Sequence, residues 1–249
     1  MTQSTTKVHT APLTDVIRDQ GGFRTHFDFP GRNLPGHDDH GYGPLATVVE
    51  SSLDPGTLIP MHPHRNEEII SWVPAGVMRH DDREGNELDT DPDHLLVMNA
   101  GSGFWHEERT LETDPPLRML QIFVRPRELD LKPGLQHGPV PDPTSGEWRH
   151  LFGPEESEAP FTVRNAVDFY DARLEAGTEA EVPTMAGRDS YCYVFEGEVE
   201  VGDARLEVGE SALLVGGGPE PVRATEESVV VAFLIDPDAP ITRQGTIGR

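Results

Sequence analysis

Two stretches of this chain are versions of one another. Leu53–Gly76, LDPGTLIPMHPHRNEEIISWVPAG, aligns without a gap to Leu174–Gly197, LEAGTEAEVPTMAGRDSYCYVFEG. Gly56 and Thr57 fall on Gly177 and Thr178, and Gly76 falls on Gly197. Further on, LLVMNAG (Leu95–Gly101) resembles ALLVGGG (Ala212–Gly218). A repeat restricts the fold more than any single motif does, because one supersecondary unit must serve twice.

Each copy reads as β-strands. SYCYVFEGEVEVGDARLEV alternates and turns at Gly202-Asp203, a hairpin signal, and VVVAFLI (Val229–Ile235) is a buried strand. In the first copy EIISWV and HLLVMN are strands, with DDREGNE as a hairpin turn between flanking strands. The 25 glycines and 23 prolines, and the lack of a long amphipathic helical stretch, agree with short strands and many turns. The expected fold is all-β, two antiparallel jelly-roll barrels in tandem. The first spans residues 1–125 and the second 161–249. Residues 126–160, rich in Pro and Gly, read as an ordered linker or crossover. A chain of 249 residues suffices to bury cores of this kind.

Charge narrows the partners. The formal net charge is −24, so a nucleic-acid partner or an anionic membrane surface is not expected. Lys7 and Lys132 are the only lysines. Acid-rich, lysine-poor chains resemble proteins of organisms that hold molar salt, where the Debye length of roughly 3 Å screens self-repulsion. A GC-rich genome would explain arginine over lysine but not the acid excess. The N-terminal MTQSTTKVHT is polar, no run approaches a membrane span, and Cys192 stands alone, so no intrachain disulfide forms. A cytoplasmic location is expected.

All eleven histidines lie at or before His150. At the repeat positions His62 becomes Pro183, His64 becomes Met185 and His106 becomes roughly Arg223, so a site built on them exists only in the first copy. On a strand, residues i and i+2 share a face. His62 and His64 therefore converge within HPH, and His106 and Glu108 within GSGFWHEE, with Glu107 turned away. Three imidazoles and one carboxylate suit a divalent transition metal with positions open to ligands. Thiolate zinc or iron–sulfur sites are disfavoured, since Cys192 sits in the other copy and reads as an inert core thiol. His80 reads as structural. His9, His26, His37, His40, His94, His137 and His150 read as surface or loop residues, and Asp38–His40 as a solvated loop. GGG at Gly216–Gly218 reads as a turn, because no helix start or Lys follows it. No G-x-S-x-G elbow is present.

HPH preceded by Gly56, with G-x-x-H (Gly103 to His106) near a second strand, resembles the cupin motifs. More narrowly, HPHRNEEIISWVPAGVMRHDDREGN and MNAGSGFWHEE resemble the pirin family of bicupins, whose members show H-P-H-[RK]-x-x-E and A-G-x-G-x-x-H-S-E. FRTHFDF (Phe23–Phe29) resembles the aromatic opening of bacterial pirin-like quercetinases. The resemblance implies two cupin barrels, with His62, His64, His106 and Glu108 matching the family's metal ligands. Glu68 matches a family glutamate that is not a ligand. Two departures stand out: Glu107 replaces the usual serine, and DPDH (Asp91–His94) replaces the glycine expected before the second-motif strand.

The resemblance implies a quercetin 2,3-dioxygenase that opens a flavonol ring with O2 and releases carbon monoxide. Its cofactor would be one divalent transition metal, Fe(II) first, with Mn, Co, Ni, Cu or Zn as alternatives. Glu108 would be ligand or catalytic base. Phe27, Phe29, Trp72, Phe104 and Trp105 are candidates for pocket walls or nearby core. The alternative is a non-catalytic regulatory pirin that binds a protein partner.

Overall fold

The computed structural model describes residues 6–14, 17–216 and 218–249. Twenty-two strands run through the described residues, and the only helical element among them is a 3-10 turn at Pro30–Asn33. No helix there is long and apolar enough to cross a membrane. The first eleven strands are β1 (Lys7–Ala11), β2 (Ile17–Asp19), β3 (Phe23–Asp28), β4 (Leu45–Leu53), β5 (Leu58–His64), β6 (Glu68–Ala75), β7 (Met78–Asp82), β8 (Glu87–Thr90), β9 (His94–Asn99), β10 (Phe104–Arg109) and β11 (Leu117–Val124). The others are β12 (Gly134–Pro139), β13 (Trp148–Gly153), β14 (Phe161–Thr162), β15 (Val167–Leu174), β16 (Glu179–Glu181), β17 (Asp189–Glu196), β18 (Val199–Val201), β19 (Ala204–Leu206), β20 (Ser211–Val215), β21 (Pro221–Ala224) and β22 (Ser228–Ile235).

These strands build the same object twice. One seven-stranded sheet has the order β12-β9-β6-β11-β4-β3-β2, and its four-stranded companion is β5-β10-β7-β8. The second pair reads β1-β20-β17-β22-β15-β13-β14 and β16-β21-β18-β19. Apart from the edges, each strand of one barrel has its counterpart in the other, so the molecule is a bicupin. The repeat's matched glycines explain part of this. Gly56 and Gly177 have φ of 75° and 81°, and Gly76 and Gly197 have 90° and 79°, a left-handed conformation open to glycine at little cost.

The two large sheets pack back to back. Ile70, Trp72, Val97 and Ile122 meet Phe169, Tyr191, Phe195 and Phe233 in one core between the barrels. Alternate residues turn inward, where Val73 and Met119 join the first barrel's interior and Cys192 and Val194 the second's. Burial on both faces is why EIISWV and VVVAFLI read as continuous apolar runs. Tyr and Trp tips give the seam polar stitches: Tyr42 donates to Asp189 at 2.6 Å, Tyr193 to Glu50 at 2.7 Å and Trp72 Nε1 to Asp171 at 3.0 Å.

Three sequence readings need correction. Residues 126–160 are not a mere linker: β12 pairs with β9 in the first barrel and β13 with β15 in the second. The stretch 1–125 does not serve the first barrel alone, because β1 forms the edge of the second by pairing with β20. The match of LLVMNAG to ALLVGGG slips by one residue. Leu95 stands opposite Trp72, whereas Ser211 stands opposite Tyr193, the repeat equivalent of Trp72. A one-residue slip reverses the faces, so Leu96 rather than Leu95 corresponds to Ala212.

Candidate metal centre

β5 and β10 are antiparallel neighbours with Phe104 opposite His64 and His106 opposite His62. This register brings HPH and the G-x-x-H histidine together. One ring nitrogen from each of His62, His64 and His106 lies within 4.8 Å of the others. The ring centroids are 4.4 Å apart for His62 and His106, 4.9 Å for His62 and His64, and 5.1 Å for His64 and His106.

Hydrogen bonds fix which nitrogen each ring presents. His62 Nδ1 is 2.8 Å from the Pro60 carbonyl, and His64 Nδ1 is 2.5 Å from Glu67 Oε1. Both acceptors require the proton on Nδ1, which leaves each Nε2 with a bare lone pair. The Pro60 carbonyl owes its place to a bulge. Between His62 and Ile59, β5 spends one residue more than β10 spends between His106 and Glu108.

His106 is reached from behind. Its Nδ1 lies 3.4 Å from His80 Nδ1, and His80 Nε2 lies 3.2 Å from Asp82 Oδ2. With His80 donating to Asp82, His106 Nδ1–H donates to His80 and its Nε2 is left bare. That Nε2 is buried and has no hydrogen-bond partner. An orphaned lone pair aimed among two more lone pairs is expensive unless something cationic sits there, so the donor set fits a divalent metal. Burial lowers the pKa of His62, His80 and His106, favouring the neutral rings that metals require. Asp82 is pushed up by burial, but hydrogen bonds from Asn86 and His80 outweigh this and hold it below the usual carboxylate range. His80, read as structural, thus supports His106; its i, i+2 spacing to Asp82 on one strand was the available signal.

Glu108 is buried beside the triad but outside it. Its Oε1 is 4.0 Å from His106 Nδ1, and both of its oxygens accept from Gln121 Nε2 at 2.7 and 2.8 Å. Desolvation raises its pKa to about 7, opposed by the neighbouring His64 and by the Gln121 hydrogen bond. The alternation of β10 survives the bulge: His106 and Glu108 turn inward, while Glu107 is half-buried against Arg109. Glu68 is fully buried and held by Arg164 at 2.6 Å, across the barrel seam and away from the three rings.

A cavity of about 250 Å3 opens onto His62, His64 and Glu108. That is near the lower end of the ~300–1,000 Å3 of small-molecule sites. Phe23, Phe27, Val49, Ile59 and Phe123 wall it, and Gln121 and Ile247 also reach it. Of the five aromatics expected near it, only Phe27 is a wall. Trp72 serves the inter-barrel core and Phe104 the barrel interior; Phe29 packs beside Arg32, and Trp105 is exposed under Arg83. A larger hollow of about 860 Å3, on the second barrel around Arg173 and Glu196, has no histidine in its lining.

None of the other histidines joins the cluster. Five expected on the surface or in loops sit on strands: His9, His26, His94, His137 and His150. Among these, His94 and His137 stack at 5.3 Å, and His150 meets Asp168 at 3.0 Å. Strand register also revises the second-copy counterparts. Arg223 answers to Arg109, and Val222 to Glu108, so position 220 rather than 223 answers to His106.

A bicupin with a three-histidine cluster in one barrel has clear relatives. The family model described as Pirin matches residues 36–124, and one described as Quercetinase C-terminal cupin domain matches 151–235. A Pseudomonas aeruginosa protein, provisionally named a quercetin 2,3-dioxygenase, is 30% identical over 210 residues, covering 84% of this chain and 89% of its own length. The pirin-like protein of Caulobacter vibrioides is 29% identical over 208 residues, covering 83% and 88%. The chain belongs to the pirin family. Its fold is also that of the Escherichia coli pirin YhhW in complex with nickel(II), with a TM-score of 0.79, 18% identity, and coverage of 92% of this chain and 99% of that one. A quercetin 2,3-dioxygenase from Acinetobacter baumannii gives a TM-score of 0.76 at 21% identity, covering 93% and 86%.

Proposed function

We propose that the first barrel holds one divalent transition metal, Fe(II) by preference, on His62, His64 and His106, and oxidises a flavonol-type substrate with O2. The observation that carries this reading is the buried, partnerless Nε2 of His106 facing two further bare nitrogens beside an apolar cavity. The relatives named for quercetin 2,3-dioxygenase activity support the substrate class. When bound, the metal supplies Lewis acidity and redox chemistry with dioxygen.

The chain's own residues do the rest. Phe23, Phe27 and Phe123 offer flat apolar walls to a planar aromatic ring and exclude water. Glu108, poised near pH 7, takes the proton of the substrate hydroxyl or serves as a fourth ligand. The Gln121 amide keeps both Glu108 oxygens aimed for either task.

The test is metal analysis followed by oxygen uptake against flavonols. Metal-replete protein should consume oxygen with quercetin and release carbon monoxide, and an analogue lacking the 3-hydroxyl should not react. Protein that binds its metal yet gives neither turnover nor a spectral change with any flavonol would leave the binding-only regulatory role as the better reading.

A further inference from the structure

Glu67 is fully buried, and neither the family motif nor the strand pattern singles it out. Its Oε1 takes the His64 Nδ1–H. Its Oε2 accepts two backbone N–H groups from a segment about 180 residues away: Ile247 N at 2.9 Å and Gly248 N at 3.0 Å. That segment reaches the first barrel after the last strand of the second. Three anchors hold it there. Arg65 N donates to Thr246 Oγ1 at 3.0 Å, Arg125 Nη2 donates to the Arg249 carbonyl at 2.7 Å, and Arg243 pairs with Asp39 at 2.8 Å.

Two glycines make the approach close enough. A Cβ on Gly245 would stand 2.8 Å from Glu67 Oε2, and one on Gly248 would stand 3.0 Å from the Ala46 Cβ. On the Glu67 side, Asn66 turns with φ 53°, a left-handed conformation that asparagine tolerates, and its side chain accepts from Asp130 N at 2.8 Å. Ile247 then reaches the mouth of the cavity that His62, His64 and Glu108 line.

We propose that Gly245–Arg249 is a strap that completes the first barrel's site: its backbone positions His64 through Glu67, and its Ile247 side chain forms part of the pocket wall. This rests on reading the three imidazoles as metal ligands. The backbone part acts on the metal. With Oε2 held by two N–H groups, Glu67 cannot swing, and its Oε1 fixes the tautomer and plane of His64. Partners of this kind are worth about 10–100-fold in metal affinity. The side-chain part acts on the organic ligand only.

The experiment uses Co(II) alone, read by competition with a chromogenic chelator and by its ligand-field absorption. A chain stopped after Gln244 should keep its circular dichroism spectrum but bind Co(II) about 10–100-fold more weakly, with an altered spectrum. Glu67→Gln should weaken binding by a similar factor, because an amide that accepts from His64 turns its NH2 toward the strap's donors. Combining the two changes should add little. Ile247→Ala, which keeps both N–H groups, should leave Co(II) affinity intact yet weaken quercetin binding measured by fluorescence quenching. Full-length protein that takes up Co(II) with an affinity and spectrum unchanged by truncation would overturn the strap alone. Full-length protein that takes up no Co(II) would sink the strap and the metal reading together. Loss of quercetin turnover with intact Co(II) binding would count against the flavonol reading only.

Discussion

The two barrels share strand order and register but differ in what lines their interiors. At corresponding positions the first has His62, His64, Ser71, His80, Glu108 and Gln121, and the second has Pro183, Met185, Cys192, Val201, Val222 and Ala232. Met185 is exposed in a loop, and the inward members of the second set pack into one apolar cluster with Ala180, Val199 and Leu206. The fold therefore does not need the polar set, since the second barrel closes over an apolar core. Burying His64, His80, His106 and Glu108 costs several kcal/mol of desolvation that an apolar lining such as Val201, Val222 and Ala232 avoids. The first barrel retains that cost where the hydrogen-bonded tautomers converge, which is the physical argument for function in one barrel and scaffold in the other.

The sharpest way to break this comparison is to count metal. His106→Ala should abolish stoichiometric binding, because it removes from the cluster a buried ring nitrogen that has no hydrogen-bond partner. Met185→Ala, at the second barrel's counterpart of His64, should leave binding unchanged. Wild-type protein that retained two equivalents of tightly bound metal would contradict the asymmetry.

Salt is the perturbation that should act on both barrels alike. With a net charge of −24, like charges crowd the whole surface, and each close pair costs up to ~1 kcal/mol even in water. Summed over several pairs this reaches several kcal/mol, which molar salt screens. Thermal midpoints should rise steeply from 0.1 M toward roughly 2 M potassium chloride. A flat profile would leave genome composition as the only account of the sequence bias.

Acidity should separate the barrels again. In metal-free protein Glu108 has its pKa raised from 4.5 to about 7 by burial. Above pH ~4.5 the unfolded chain releases this proton while the folded chain keeps it. The stabilisation is therefore fully present below pH ~4.5 and is lost as pH rises through about 7, a change of roughly 3 kcal/mol at most. Glu108→Gln should flatten that part of the stability profile, read from denaturation midpoints between pH 4 and 8. Val222, its counterpart, has no ionisable group to contribute.

How much of this was legible depended on range. The repeat showed because matched glycines occupy matched left-handed turns, and the histidines showed because strand alternation is a local rule. Glu107 and Glu108 were separable for the same reason, and the bulge that could have exchanged them falls on β5 instead. What stayed hidden was long-range. Nothing in KVHTA says that it pairs with SALLV some 200 residues later, and nothing beside Glu67 points to Ile247. Strands β12, at the edge of its sheet, and β13, next to the edge strand β14, were obscured by the Pro and Gly around them, which the margins of a sheet tolerate. Gln121 reads as an ordinary strand residue until β11 is laid beside β6, where it stands opposite Ser71, and its amide then proves to hold Glu108.

The smallest expected effect tests whether the second barrel is truly dry. Cys192 is completely buried, and its thiol is pushed up to about 12 by desolvation alone. Its strand neighbours across the sheet are Ala212 and Ala232, and Val194 and Val201 pack in the same cluster. Its counterpart in the first barrel is Ser71, two residues before Val73 on β6. Cys192→Ser changes volume little but puts a hydroxyl where the neighbouring side chains offer no acceptor. An unsatisfied buried hydroxyl costs about 1–3 kcal/mol. Urea midpoints should fall accordingly, with the slope unchanged and Co(II) binding in the first barrel untouched. A Cys192→Ser protein as stable as wild type would mean that the second interior admits water or a polar ligand, and that the division into a working barrel and an inert one is drawn in the wrong place.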